Sequence, residues 1–403
     1  MRPLDEVVNK WRRIASGDVD WRNGRTTRYI YFADDELEEI ARQAYGEFMS
    51  HNALSATAFP SVAEFEAQLL RFAGRLLGNA EAVGSVSSGG TESIILAVKT
   101  ARDWARKTRA IENGSIVLPY SAHPAFDKAA HLLGLRAERV PLTAGFRADV
   151  ASMTDAVKDD CILVVGSAMC WPFGTIDPIV ELGRLALDAD VPLHVDACAG
   201  GFLLPFVDEL SECRWGLEVP GVASISADLH KYGYAGKGVS TILYNDVEYA
   251  SFQPFSLPSS GWPGGAYRTP TLAGTRPGGP IASAWAVVEA LEHDGFRALA
   301  AKTMAASRAW QRGIGEIGGL EILGQPPGSI FAYRATGLDT MAVGDELQAR
   351  GWQVGRQQAP RSIQIAVNPP HLAVTDDYLR DLAESVAAVR SSGAVSSTSA
   401  TYA

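Results

Sequence analysis

The chain has 403 residues, 47% of them hydrophobic and 20% charged, and a net charge of -10. That length supports a large core and more than one domain, and the acidic balance, with no basic stripe, argues against nucleic acid as a partner. No apolar run reaches the roughly 18 to 20 residues that span a bilayer, so no transmembrane segment is expected.

The N-terminal stretch, residues 1–23, is charged and lacks a signal-peptide core. Residues 1–28 are expected to form a helix and then an arm. Helical spacing of Leu37, Ile40, Ala41, Ala44 and Phe48 predicts a helix over 34–50. Phe65, Leu69, Phe72 and Leu76 predict another over 61–77. From there strands and helices alternate. Strands are expected at 83–86, 116–119, 161–166, 192–196, 223–227 and 241–244, and helices at 93–107, 124–133 and 179–189. Alternation of this kind predicts an α/β fold whose central sheet is mostly parallel, with helices on both faces. Residues 252–280, rich in Gly, Pro and Ser, read as one long functional loop. Two helices, 281–291 and 297–314, lead to a smaller C-terminal α/β unit with strands near 329–334 and 363–367 and helices over 341–350 and 376–389. The expected divisions are an arm and helix (1–60), a large domain (61–285), a small domain (286–390) and a frayed tail (391–403). Cys161, Cys170, Cys198 and Cys213 show no CxxC spacing. Neither a zinc site nor a disulfide framework is expected, and a cytoplasmic location is.

The stretch Ser224-Ile-Ser-Ala-Asp-Leu-His-Lys-Tyr-Gly-Tyr-Ala-Gly-Lys-Gly238 concentrates the chemistry. Lys231 follows an apolar strand, beside His230 and among glycines. Burial there is expected to lower its pKa and free its amine to attack a carbonyl. In Ser87-Ser-Gly-Gly-Thr-Glu-Ser93 a strand gives way to a helix, so Gly89, Gly90 and Thr91 offer an anion free N–H groups and a hydroxyl. Asp196 closes another apolar strand and needs a cation, either a protonated pyridine nitrogen or, paired with His194, a metal. No further metal-ligating cluster lies nearby in sequence, so no metal is expected. His123, at a strand end, can stack on an aromatic ligand. In open parallel sheets ligands sit at the carboxyl ends of the strands, and together these residues fit one cofactor, pyridoxal phosphate.

The segments SSGGTESI, SAHPAFDKAA, GTIDPI, PLHVDACAGGF, SISADLHKYGYAGKG and TLAGTRPGG resemble those of the group II pyridoxal-phosphate decarboxylase superfamily, of fold type I. Within it they are most similar to the sphingosine-1-phosphate lyases. The resemblance implies a covalent link from Lys231 to the cofactor aldehyde, Asp196 at the pyridine nitrogen, His123 on the ring, and Gly90, Thr91 and His230 at the phosphate. It makes Lys237 and Tyr31 candidates beside the substrate. It also implies that the loop at 273–279, with Thr275, reaches a neighbouring subunit's cofactor in a homodimer. The implied activity is cleavage of a Cα–Cβ bond in a phosphorylated long-chain base or related amine; amino-acid decarboxylation and a non-catalytic role are the alternatives. Ser55 and Thr57 stand where these lyases carry His and Asp, and Phe173 where they carry His. These three departures are expected near the substrate entrance.

Overall fold

The computed structural model describes residues 1–400. Three helices lead in: α1 (Leu4–Ala15), α2 (Asp35–Glu47) and α3 (Pro60–Leu76). The Asp34 side chain caps α2 by accepting from the Leu37 N–H, and Pro60 opens α3 where a missing N–H costs nothing. Then come β1 (Val83–Ser87), α4 (Gly90–Arg109), β2 (Ser115–Pro119), α5 (Ala125–Leu133), β3 (Arg136–Val140), α6 (Val150–Ala156), β4 (Cys161–Ser167), α7 (Ile179–Asp188), β5 (Leu193–Asp196), β6 (Val222–Ala227) and β7 (Ser240–Tyr244). All seven residues of β4 and all four of β5 are buried, as strands covered on both faces must be.

These strands form one sheet in the order β1-β7-β6-β5-β4-β2-β3. Neighbours from β6 to β3 are parallel, while β7 runs antiparallel to both β6 and β1. Two reversals therefore restore the direction of β1. Its C-terminal end, Ser87, lies on the same edge as the ends of β2, β4, β5 and β6. Every strand-end residue singled out by sequence meets along that edge.

Past the sheet come α8 (Val247–Ala250), β8 (Phe255–Leu257), β9 (Tyr267–Thr269) and α9 (Gly278–Glu316). The long loop expected at 252–280 thus contains a small antiparallel hairpin. The two helices expected after it are both present within α9, joined across a kink at Glu292, whose φ 48° and ψ -162° are not helical. The chain then forms β10 (Leu320–Ile322), β11 (Ile330–Ala335), α10 (Thr340–Ala349), β12 (Gly355–Gln358), β13 (Arg361–Ala366) and α11 (Thr375–Ser392). A second, antiparallel sheet is ordered β10-β11-β13-β12. Its core stacks Trp310 on Tyr378 with ring centroids 3.9 Å apart. The expected frayed tail is partly tied down, because the Ser396 N–H donates to the Asp339 carboxylate (3.1 Å) and the Thr398 hydroxyl to that of Asp345 (3.1 Å). Residues 401–403 of that tail lie outside the described residues.

β3 and α6 are absent from the sequence-based expectation. β3 is an edge strand whose Arg136 and Glu138 are exposed, so its apolar signal is weak. Phe173 is closed off from solvent, although it lines a cavity of about 470 Å³ together with Trp171. It is buried in a small cluster with Cys170, Leu323 and Ala332, packed on Phe146. The adjoining Gly174 has φ +68°, and a Cβ there would lie 1.7 Å from the Ile330 carbonyl oxygen. Gly174→Ala is therefore expected to lower stability by about 2–4 kcal/mol, read as a shift in denaturant midpoint. An unchanged midpoint would show that the contact between this loop and β11 yields easily.

Candidate active site

The loops at the sheet edge enclose a cavity of about 360 Å³, lined by Ser88, Gly89, Gly90, Thr91, His123, Trp171, Asp196, Cys198, Asp228, His230 and Lys231, among others. Lys231 and Asp228 lie in one tight turn after β6, the Lys231 N–H donating to the Asp228 carbonyl. Their side chains meet as well, Nζ to Oδ2, at 3.0 Å. This pair reverses the sequence expectation for Lys231. Burial pulls the pKa of the amine down, but the Asp228 carboxylate outweighs it with help from Tyr31, Cys198 and Asp196, and the pKa rises well above the usual lysine value. Burial likewise works against ionised Asp228, yet Lys231 and His230 hold its carboxyl below the ordinary range.

His230 accepts the Val239 N–H at Nδ1 (3.2 Å), which leaves Nε2 facing Asp228 at 3.6 Å. His123 accepts the Ala125 N–H at Nδ1 (3.1 Å), and burial lowers its pKa, so a neutral ring forms one wall. The Asp196 carboxylate accepts the Cys198 N–H (3.0 Å) and lines the cavity at the end of β5. The metal pairing of His194 with Asp196 does not form. Both His194 nitrogens are engaged by serine hydroxyls, Ser224 at 2.9 Å and Ser226 at 3.2 Å, and burial drives its pKa down to about 4.

The glycine loop fits an anion for a packing reason. A Cβ on Gly90 would lie 2.7 Å from Cys198 Sγ and 2.8 Å from Asp228 Oδ2, so only glycine lets the start of α4 approach the lysine turn. Asp228 Oδ1 is buried and has no hydrogen-bond partner. That combination of a helix N-terminus, an anionic floor at Asp196 and a lysine amine suits pyridoxal phosphate: phosphate at one end, ring nitrogen at the other, aldehyde at Lys231.

Lys237 and Tyr31 sit beside this cavity, lining an apolar one of about 620 Å³ along α2. Lys237 Nζ donates to the His230 carbonyl (3.1 Å) and lies 5.1 Å from the centre of the Tyr31 ring. Tyr31 packs edge-on against Tyr232 at 4.8 Å. Burial, then the charge of Lys231, brings the Lys237 pKa down to about 8. Thr275 does not join the Lys231 cavity of its own chain. Its loop is pinned instead to the arm and α3: Arg276 pairs with Glu66 (2.7 Å), and the Thr275 hydroxyl accepts from the Asn52 side chain (3.5 Å). Ser55 is half-buried and Thr57 exposed, and their hydroxyls bond to each other at 3.1 Å. Sequence reasoning missed Asp228 and Trp171 as site residues. Asp228 stands three positions before Lys231, a spacing a turn can close. Trp171 carried no signal, and the Lys231 amine lies 5.7 Å from the centre of its ring.

Comparison with known proteins agrees with this geometry. Residues 4–315 match the family model described as the pyridoxal-dependent decarboxylase conserved domain. The chain belongs to this family. It is 38% identical to the sphingosine-1-phosphate lyase of Oryza sativa subsp. japonica over 96% of this chain and 73% of that protein. It is also 32% identical to a probable L-tyrosine/L-aspartate decarboxylase of Methanothermobacter thermautotrophicus, over 82% of this chain and 89% of that one. The solved sphingosine-1-phosphate lyase of Burkholderia pseudomallei superposes with a TM-score of 0.92 at 34% identity, covering 98% of this chain and 92% of that one. The protein is thus a pyridoxal-phosphate-dependent lyase of fold type I. No helix among the described residues is long and apolar enough to cross a membrane.

The Lys237 environment has a measurable signature. In competitive acylation its amine should reach half-maximal reactivity near pH 8, whereas unperturbed lysines do so near pH 10.4. The unfolded chain keeps that proton up to about pH 10.4, so Lys237 lowers stability below pH 8, and the cost fades as pH rises from 8 towards 10. A Lys237 that labels in step with surface lysines would contradict this placement. Gly90→Ala should weaken cofactor binding by about tenfold or more, measured by fluorescence titration, with little change in secondary structure.

Proposed function

We propose that this enzyme cleaves the Cα–Cβ bond of a phosphorylated long-chain base or related β-hydroxy amine, releasing an aldehyde and an amine. The observation that carries the reading is Lys237: a second lysine, its amine bonded to the His230 carbonyl and set beside the Tyr31 ring at the edge of the Lys231 cavity, whose charge changes near pH 8. Bound pyridoxal phosphate supplies an electron sink for the bond broken at Cα. Lys231 holds the cofactor aldehyde covalently, Asp196 keeps the ring nitrogen protonated, and His123 stacks on the ring. Gly89, Gly90, Thr91 and His230 hold the cofactor phosphate. Charged Lys237 binds the anionic end of the substrate, and Tyr31 moves the β-hydroxyl proton. Thr275 reaches the neighbouring subunit's cofactor, so the working unit is a homodimer. A cytoplasmic location belongs to the same reading and is supported by four free cysteines.

Cofactor-loaded protein mixed with a sphingoid base phosphate should yield a long-chain aldehyde and phosphoethanolamine by mass spectrometry. Lys231→Ala should abolish both products and the cofactor's visible absorbance. Carbon dioxide release from an amino acid, with no aldehyde from the base, would make the enzyme a decarboxylase. As pH rises through about 8, Lys237 loses its charge and KM for the phosphorylated substrate should rise. Lys237→Arg should remove that rise, because a guanidinium stays charged. A KM that is flat from pH 7 to 9 in the unmodified enzyme would take Lys237 out of anion binding.

A further inference from the structure

Glu92 lies in the first turn of α4 and is only 8% exposed. No cation pairs with it among the described residues. Its two oxygens are divided between segments far apart in sequence. Oε2 accepts the Ser88 N–H at 2.6 Å, and Oε1 accepts the Leu272 N–H at 2.8 Å. A glutamate that only capped its own helix would need the first of these bonds and not the second. Burying an ionised group is costly, and here the neutral amide could not replace it. Glutamine accepts at one end and donates at the other, whereas a carboxylate accepts at both.

The two segments are the two loops already assigned to the cofactor. Ser88 opens the glycine loop, and Leu272 stands three residues before Thr275. Neighbouring groups repeat the connection. Glu66 accepts the Val86 N–H at 3.0 Å and holds Arg276 on both oxygens, at 2.7 and 2.9 Å. Arg276 in turn donates to the Val86 carbonyl at 3.2 Å. The buried Gln253 amide donates to the Ser85 hydroxyl and to the Pro270 carbonyl. Thr275 is thus bracketed, at 270–272 and at 276, by groups that also hold the end of β1 and the glycine loop. The Leu272 side chain is 57% exposed, so at that position the loop is held by its N–H and not by packing.

We propose that Glu92 is a positioning residue for two cofactor sites at once: through Ser88 it sets the phosphate loop of its own chain, and through Leu272 it sets the loop with which Thr275 serves the neighbouring subunit. The inference rests on the homodimer reading above. Glu66 and Arg276 fix the other side of Thr275, so the two loops move as one piece, and damage to the link in one subunit is felt by the cofactor of the other.

The test uses full chains carrying two different tags, so that mixed dimers of one unmodified and one variant chain are isolated. Pyridoxal phosphate is titrated in, borohydride fixes it on Lys231, and intact mass reads the occupancy of each chain separately. Circular dichroism confirms that the variants fold. In a mixed dimer with Glu92→Gln, half-saturation should need about fivefold more cofactor on both chains, the unmodified one included. Leu272→Pro removes only the loop's N–H and leaves the Ser88 bond in place. It should weaken the unmodified chain opposite by about fivefold and leave its own chain within about twofold. Thr275→Ala should likewise weaken the chain opposite. An unmodified chain that keeps its affinity opposite Glu92→Gln and Leu272→Pro, but loses it opposite Thr275→Ala, overturns the double role of Glu92 and leaves the shared site standing. Full affinity opposite all three variants, or the absence of any dimer, overturns the homodimer reading itself. A Leu272→Pro chain that loses its own cofactor as strongly as its neighbour does would reduce the link to local loop stability and overturn the proposal.

Discussion

The pair of half-buried Lys231 and fully buried Asp228 is the constraint around which the site is arranged. Two charges taken out of water carry a desolvation cost of several kcal/mol each unless their geometry and neighbours offset it. Here they stand 3.0 Å apart in one turn, with His230 on the other side of the carboxylate. The pair also dictates what approaches it. The first residue of α4 must be glycine because Asp228 and Cys198 already occupy the space of a side chain. The lysine turn and the phosphate-binding loop therefore fit only as a matched set.

Sheet topology makes that match possible. Ser87 and Lys231 lie far apart in sequence, and β1 would point the wrong way if it joined a hairpin directly on β6. Placing the antiparallel β7 between them turns β1 back into line. The glycine loop then opens on the same edge as Asp196 and Lys231. The buried β4 and β5 fix the depth of the cavity floor, and the loop after β4 brings Trp171 over the amine.

Most of this was legible in the sequence because the functional residues stand at the ends of short apolar runs. Gly90, His123, Asp196 and Lys231 each end or follow such a run, and the structure gathers all four at one cavity. What escaped had no local signature. The sign of the Lys231 pKa shift depends on the rotamer of a carboxylate three residues away, and composition says nothing of rotamers. Phe173 reads as a substitution in a substrate loop, but Gly174 turns that loop so that the ring packs into the small sheet's side of the core. Thr275, expected at a neighbouring subunit's cofactor, is held by its own chain against Asn52, outside that chain's Lys231 cavity. β3 was hidden because an edge strand carries charge where a central one carries valine.

The separation between the two cavities has a consequence for how such a protein can change over time. Residues around Lys231 come from the sheet edge and are locked by mutual contact, so substitutions there are rarely neutral. The wall beyond Lys237 comes largely from the arm and α2, through Trp21, Phe32, Leu37 and Tyr45, segments outside the sheet that, apart from Tyr31, carry none of the groups around Lys231. Mutations can accumulate in that outer wall and be selected for a new molecule while the inherited reactivity persists. One scaffold can in this way supply both lyases and decarboxylases without rebuilding its chemical core.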